Sequence, residues 1–424
     1  MAVAVDSRFW HPFADMGAVR RSELVLVRGE DVWVWDRDGR RYLDATASLW
    51  YANVGHGRAE IADAVAAQMR SLEAYSAFGD FASEPALELA ELLSDLAPMP
   101  SRVFLGSGGG DGVETAAKAA RRYWFEVGQP ERTLLVSRTS AYHGTHGFGT
   151  ALAGIPANRE GFGPQVETIQ VPHDSLEAME IELERVGVER VAGVFVEPVI
   201  GAGGVYPPVP GYIEGLAALC ERTGVLLIVD SVICGFGRLG TWFGIERWDV
   251  SPAMIVFAKG VTSGYLPLGG VLISDRVAEP FWHAPGGPTF RHGATYAAHT
   301  TCCAAALANI ALLGRDGLLE RGRRLEQRLL DALRPLAAHE AVAEVRGGVG
   351  LLAAVELTDE ILTHRPDAVA GVVGHARERG VLVRALGRAV AVSPPLTIGE
   401  EHLAQIAEAM DHALAALGAD ARPR

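Results

Sequence analysis

Basic residues are the scarcer charge in this chain. Of its 424 residues, 38 are Lys or Arg and 52 are Asp or Glu, a formal net charge of -14. That balance argues against a surface built to hold nucleic acid. Cysteine is sparse as well: Cys220, Cys234, Cys302 and Cys303 are the only four, with no CxxC pair or ligand-like spacing. Reduced thiols in a cytoplasmic protein are therefore expected. No uninterrupted apolar run approaches the length of a bilayer span, so no membrane partner is expected. The start, MAVAVDSRFWHPF, lacks the charged beginning and apolar core of a signal peptide. Internal repeats and low-complexity linkers are missing too. What is present is length and apolarity. A chain that is 49% hydrophobic can bury a large core, and its length suggests two or three lobes.

The stretch VLLIVDSVICGFGRLGTWFGIERWDVSPAMIVFAK, residues 225 to 259, organises the rest. Two short β-branched runs, VLLIV and MIVF, each lead to a charge, Asp230 and Lys259, across a Gly-rich connection. Such runs suit buried strands of a parallel sheet, which puts both charges at strand C-terminal ends. Open α/β sheets bind their ligands at that rim. A lysine amine and a carboxylate there suit pyridoxal phosphate, whose aldehyde condenses with an amine and whose ring nitrogen needs a carboxylate to stay protonated. Two charges alone leave a plainer reading open, with Asp230 capping a loop and Lys259 a surface amine.

Other segments add to this frame. LVLVRGEDVWVWDRDGRRYLDA alternates around Asp38-Gly39, a hairpin signal. A helix follows ASLWYANVGHGRAEI, with Ile61, Val65, Met69 and Leu72 expected on one face. RVFLG reads as a strand and DGVETAAKAARRYWF as a helix, joined by GSGGG. Glycines opening a helix can offer free N–H groups to a phosphate, although the run does not match the dinucleotide fingerprint G-x-G-x-x-G. After the strand TLLVS, Tyr142 is an aromatic able to stack on a ring. His143 and His146 suggest no third ligand, and no metal site is expected. VAGVFVE ends on Glu197. From Leu318, VAEVRGG, LLAAVEL, GVLVRAL and AVAVSPPL alternate with helices, and the last helix carries Leu403, Ile406, Met410 and Leu414.

Taken in order, VDSVICGFGRLGTWFG with FAKG, FLGSGGGDGVETAAKAAR, Tyr142-His143-Gly144, EPVIGAGG and FRHGATYAAHT resemble the motifs of the class III (subgroup II) pyridoxal-phosphate aminotransferases. The resemblance runs from about Trp50 to Pro395. It implies that Lys259 bonds the cofactor, Asp230 partners the ring nitrogen, Val232 contacts one ring face and Tyr142 stacks on the other. Ser231 departs from the usual Glu. Gly109 and Gly110 are implied at the phosphate, with Gly110 replacing a usual serine. Thr295 is implied to reach the phosphate of a neighbouring subunit, so a dimer or tetramer with shared sites is expected. Glu197 is the glutamate that pairs with an arginine in members acting on ornithine or 4-aminobutyrate. Ala391 stands at that arginine's position, which argues against those substrates. Trp50 matches a substrate-pocket tryptophan of amine-specific members, with a plain core role equally open. Arg384 matches their mobile arginine, which can hold a carboxylate in a bidentate pair, and Arg388 is a nearby rival.

The expected fold is α/β, fold type I, with a large doubly wound and mostly parallel sheet and a small α+β lobe from both termini. Residues 1–50 and 318–424 are assigned to the small lobe, and 51–317 to the large one. The expected reaction moves an amino group from an amine or ω-amino donor to a keto acid such as pyruvate, with ping-pong kinetics. Other reactions of the wider family, racemisation, a mutase step or decarboxylation, share the lysine and aspartate and stay open at this level. A non-catalytic cofactor sensor is the remaining alternative.

Overall fold

A computed structural model describes residues 7–283 and 285–420. The first six residues, which bear on the signal-peptide expectation, lie outside the described residues. Near the N-terminus β1 (Leu26–Glu30), β2 (Trp33–Asp36) and β3 (Arg41–Asp44) form an antiparallel meander. The turn at Asp38-Gly39 is held by Asp36, whose carboxylate accepts the N–H groups of Asp38 and Arg40 and the hydroxyl of Tyr42 at 2.7–3.0 Å.

The central sheet has seven strands: β4 (Ser101–Gly106), β5 (Leu134–Arg138), β6 (Thr168–Val171), β7 (Val191–Val196), β8 (Leu226–Asp230), β9 (Met254–Phe257) and β10 (Gly269–Ser274). Their spatial order is β4-β10-β9-β8-β7-β5-β6, and only β10 runs antiparallel to its neighbours. Every residue of β7, β8 and β9 is buried, as β-branched strands covered on both faces require. The helix Gly109–Glu126 lies across the sheet. Gly112 permits this closeness, since a Cβ there would sit 2.7 Å from Val256 and 2.9 Å from the Gly270 carbonyl. The helix Ala59–Ser71 buries Ile61, but Met69 and Leu72 are 57% and 38% exposed. Its apolar stripe is therefore shorter than the periodicity suggests.

A third sheet, β11 (Val342–Arg346), β12 (Ala353–Leu357), β14 (Arg384–Leu386) and β15 (Ala389–Val392), is antiparallel in the order β11-β12-β15-β14. The segment GVLVRAL, read as one strand, divides in two. Its first half, β13 (Val381–Leu382), leaves this sheet and pairs in parallel with β3. The C-terminal part of the chain thus joins the N-terminal meander. The final helix, Glu400–Asp420, buries Leu403, Ile406, Met410 and Leu414.

Candidate active site

The C-terminal ends of β5, β7, β8 and β9 and the start of the helix after β4 converge on a cavity of ≈150 Å3. Its walls include Gly109, Gly110, Tyr142, Glu197, Asp230, Val232 and Lys259. This is the rim on which open α/β sheets bind ligands. β8 and β9 are neighbours in parallel, and their C-terminal ends bring Asp230 and Lys259 to one side. Lys259 lies two residues past β9 in a short 3-10 turn, with φ +49°, a conformation costly for a side chain with a Cβ. Asn309, from the helix Thr300–Arg315, donates to the carbonyls of Gly260 and Val261 at 2.8 and 2.9 Å and pins that turn. No local signal in the sequence marks Asn309 for this task.

Electrostatics follow from burial. Desolvation pushes the Lys259 amine below the ordinary lysine value, the carboxylates of Asp230 and Glu197 oppose this, and Arg384 adds to it. Glu197 is held above the usual carboxylate range, first by burial. Both of its oxygens accept backbone N–H groups, from Tyr142 and Gly201, at 3.0 Å each. Burial also raises the Tyr142 phenol, Asp230 adds to this, and Arg384 opposes it. Asp230 accepts the N–H of Val232 at 3.1 Å, and its other oxygen lies 2.8 Å from Nδ1 of His143. That last contact joins residues far apart in the chain, and sequence reading gave His143 no role. Ser231, where a glutamate is usual, instead donates to the Phe243 carbonyl at 2.6 Å and so serves the loop.

The residues present fit pyridoxal phosphate. The helix after β4 opens at Gly109 and Gly110 and turns its free N–H groups and positive dipole end towards the cavity. A Cβ at Gly109 would meet Val232 at 2.9 Å, and one at Gly110 would meet the His146 ring at 3.1 Å, so the cradle is shaped for glycine. A buried carboxylate, a desolvated amine and an aromatic ring stand around the same space. The other candidates lie further out. Trp50 is 2% exposed and packs in an apolar cluster with Val199, Ile233, Leu386 and Ala391, of which Ile233 also lines the cavity. Arg384 is half-buried, and its Nε has no hydrogen-bond partner among the described residues. Arg388 instead pairs with Glu356 at 3.1 Å and Asp359 at 2.5 Å. Thr295 is exposed and is not part of this chain's cavity wall.

Fold and site together define a class, the pyridoxal-phosphate enzymes of fold type I. Comparison with known proteins narrows it. The family model for class III aminotransferases matches residues 16–414, and the chain belongs to that family, whose members are pyridoxal-phosphate-dependent enzymes moving amino groups between amines and keto acids. The putrescine–pyruvate aminotransferase of Pseudomonas aeruginosa is 34% identical over 420 residues, covering 93% of this chain and 91% of its own. Among solved structures, a pyridoxal-phosphate-bound amine transaminase from an uncultivated Pseudomonas species superposes with a TM-score of 0.93 at 34% identity, covering 98% of this chain and 100% of that one. An (S)-enantioselective omega-transaminase from Thermomicrobium roseum gives 0.91 at 39% identity, with 96% of each chain covered.

Proposed function

We propose that this aminotransferase takes its amino group from a primary amine or ω-amino donor and delivers it to pyruvate or a similar keto acid. The observation that carries this reading is the surroundings of Glu197. Its carboxylate is occupied by backbone donors, and the position of the arginine expected in ornithine and 4-aminobutyrate enzymes holds Ala391. Ala391 is buried in β15 directly opposite Arg384 of β14. The wall around it, Trp50, Leu386 and Ala389, is apolar. An uncharged amine meets no unpaired carboxylate there, while Arg384 can hold the carboxylate of the keto acid. A putrescine–pyruvate and a beta-alanine–pyruvate aminotransferase among its relatives point the same way.

When bound, pyridoxal phosphate supplies an aldehyde that condenses with amines and a ring that accepts the electrons left when a C–H bond breaks. Lys259 would hold that aldehyde until the donor amine displaces it. Its freed amine, whose burial favours the neutral form, would be the group placed to take the proton from the donor carbon and return it at the cofactor's C4'. Asp230 would hold the protonated ring nitrogen, Tyr142 and Val232 would cover the two ring faces, and Gly109 and Gly110 would bind the phosphate.

A homodimer or tetramer with shared sites belongs to the same proposal. It is supported by exposed Thr295 and by the exposed aromatics Tyr75, Phe78, Phe81 and Tyr296. The division into a small lobe, 1–50 and 318–424, and a large lobe, 51–317, is supported by the pairing of β3 with β13. Four buried free cysteines support a cytoplasmic setting. The function is tested by Lys259→Ala. Loss of amine-to-pyruvate transfer by about 10³-fold or more, with the melting temperature retained, is expected. Turnover comparable to the parent would falsify the assignment.

A further inference from the structure

The chain reaches Trp50 through a backbone that residues with a Cβ rarely adopt. φ is +46° at Ala47, +57° at Ser48 and +67° at Trp50, and Ser48, with ψ -93°, lies close to the rare and strained γ-turn conformation. Such a segment keeps its shape only where its surroundings over-determine it. Here one carboxylate does so. Asp44 ends β3 and is 2% exposed. Its Oδ1 accepts the N–H and the hydroxyl of Thr46 at 3.0 and 2.7 Å, and its Oδ2 accepts the N–H of Ser48 at 2.7 Å. Nε2 of His56 lies 2.8 Å from the same Oδ2, and His56 is itself fixed by exchanging backbone hydrogen bonds with Asp31 at 2.8 and 2.9 Å. Burial raises the Asp44 carboxyl, but its bonds from His56 and Thr46 outweigh this and hold it below the ordinary carboxylate value. An ionised carboxylate only accepts, so Nε2 of His56 carries the proton of that bond. The segment so held delivers Trp50 into the apolar cluster that includes Ile233 of the cavity wall.

We propose that Asp44 is a positioning residue that sets the size of donor the enzyme accepts, by holding Ala47–Trp50 in its left-handed backbone and so keeping Trp50 fixed behind Ile233. This rests on the reading above that places Trp50 at the donor pocket. Asp44 touches neither donor nor cofactor. It acts through Trp50: with the carboxylate in place the apolar wall cannot recede, and without it the backbone relaxes and a bulkier amine fits.

The test reads kcat/KM of the holoenzyme for benzylamine against ethylamine, with pyruvate as acceptor. Asp44→Asn keeps one oxygen but turns an amide donor towards Thr46 or Ser48, so a bond to the segment becomes a clash of donors. It is expected to raise the benzylamine-to-ethylamine ratio about threefold to tenfold, the lower end of what an apolar pocket gives for one small group. His56→Leu, which spares the Ser48 bond but removes a donor from Asp44, is expected to move the ratio the same way by less. His56→Gln, whose amide nitrogen falls near the Nε2 position, is expected to restore the parent's ratio. Trp50→Leu is expected to raise the ratio further, and Asp44→Asn to add nothing in that background, because it acts through Trp50. An unchanged ratio in Asp44→Asn while Trp50→Leu moves it, full additivity in the double variant, or equal shifts in the two His56 variants overturns the proposal. If Asp44→Asn does not fold, the His56 pair decides: an unchanged ratio in His56→Leu overturns it. A ratio that Trp50→Leu leaves unchanged defeats the pocket role of Trp50 itself, on which the proposal stands.

Discussion

Lys259 combines a left-handed backbone (φ +49°) with a desolvated amine held below the ordinary lysine value. A base must be neutral to take a proton, so kcat is expected to fall on acidification through a limb well below the ordinary lysine pKa of about 10.4. A pH–kcat profile with its limb at about 10 would contradict this. Gly109 makes a second residue-scale test. Its substituted Cβ would stand 2.9 Å from one Val232 methyl and 3.0 Å from the other, so Gly109→Ala should displace Val232 and weaken cofactor binding about tenfold or more. Equilibrium titration of the apoprotein with pyridoxal phosphate measures this. Asp230 and Lys259 were legible in the sequence because each ends or follows a short β-branched run. The partners of Asp230 were not: His143 precedes it by 87 residues, and strand order, which local pattern does not encode, brings the two together. Asn309 was hidden for the same reason.

Among the elements, the Gly-rich loop between β8 and β9 does more than join the strands that carry Asp230 and Lys259 to the rim. Arg238 in that loop is fully buried and donates to the carbonyls of Leu351 and Pro394 at 2.8 and 2.7 Å and to the side chain of Asn53 at 2.9 Å. Asn53 in return donates to the Phe236 carbonyl at 2.8 Å. One guanidinium therefore ties the loop to segments before and after the central sheet. Its burial lowers its pKa to about 10, so it remains a cation at neutral pH. Arg238→Ala should cost about 3 kcal/mol or more, because three acceptors lose a charged donor inside the protein. A lowered urea midpoint is the expected reading, and an unchanged midpoint contradicts the staple. Most strands and the amphipathic final helix were readable from periodicity. The break in GVLVRAL was not, because Val381 and Leu382 leave for β3 under a pairing made across the fold. Nor was the exposure of Met69 and Leu72, since an apolar stripe records what can be buried and not how much of it this chain covers.

For the molecule as a whole, pH acts on stability through half-buried histidines. His292 is held below the ordinary histidine value, first by burial and then by Lys118, with Asp111 opposing. It shares hydrogen bonds with Thr115 at 2.8 Å and Lys118 at 3.0 Å. A depressed folded value means that the unfolded chain takes the proton first, so stability is intact above about pH 6.5 and is lost as pH falls through the lower folded value. The melting temperature of His292→Gln should therefore drop less than that of the parent between neutral and mildly acidic pH; parallel slopes would contradict this. The β8–β9 rim of the central sheet was legible from the order of the motifs, whereas the positions of Trp50 and Arg384 depended on how β14 and β15 fold back. If an amine donor and a keto-acid acceptor are served in turn by one cofactor on Lys259, absorbance follows both halves of the exchange. The purified protein loaded with pyridoxal phosphate is given a simple primary amine without pyruvate. The yellow cofactor band is expected to bleach, and pyruvate to restore it. A band that ignores the amine and answers only to an α-amino acid would contradict the amine specificity, and the absence of any band would contradict the role of Lys259.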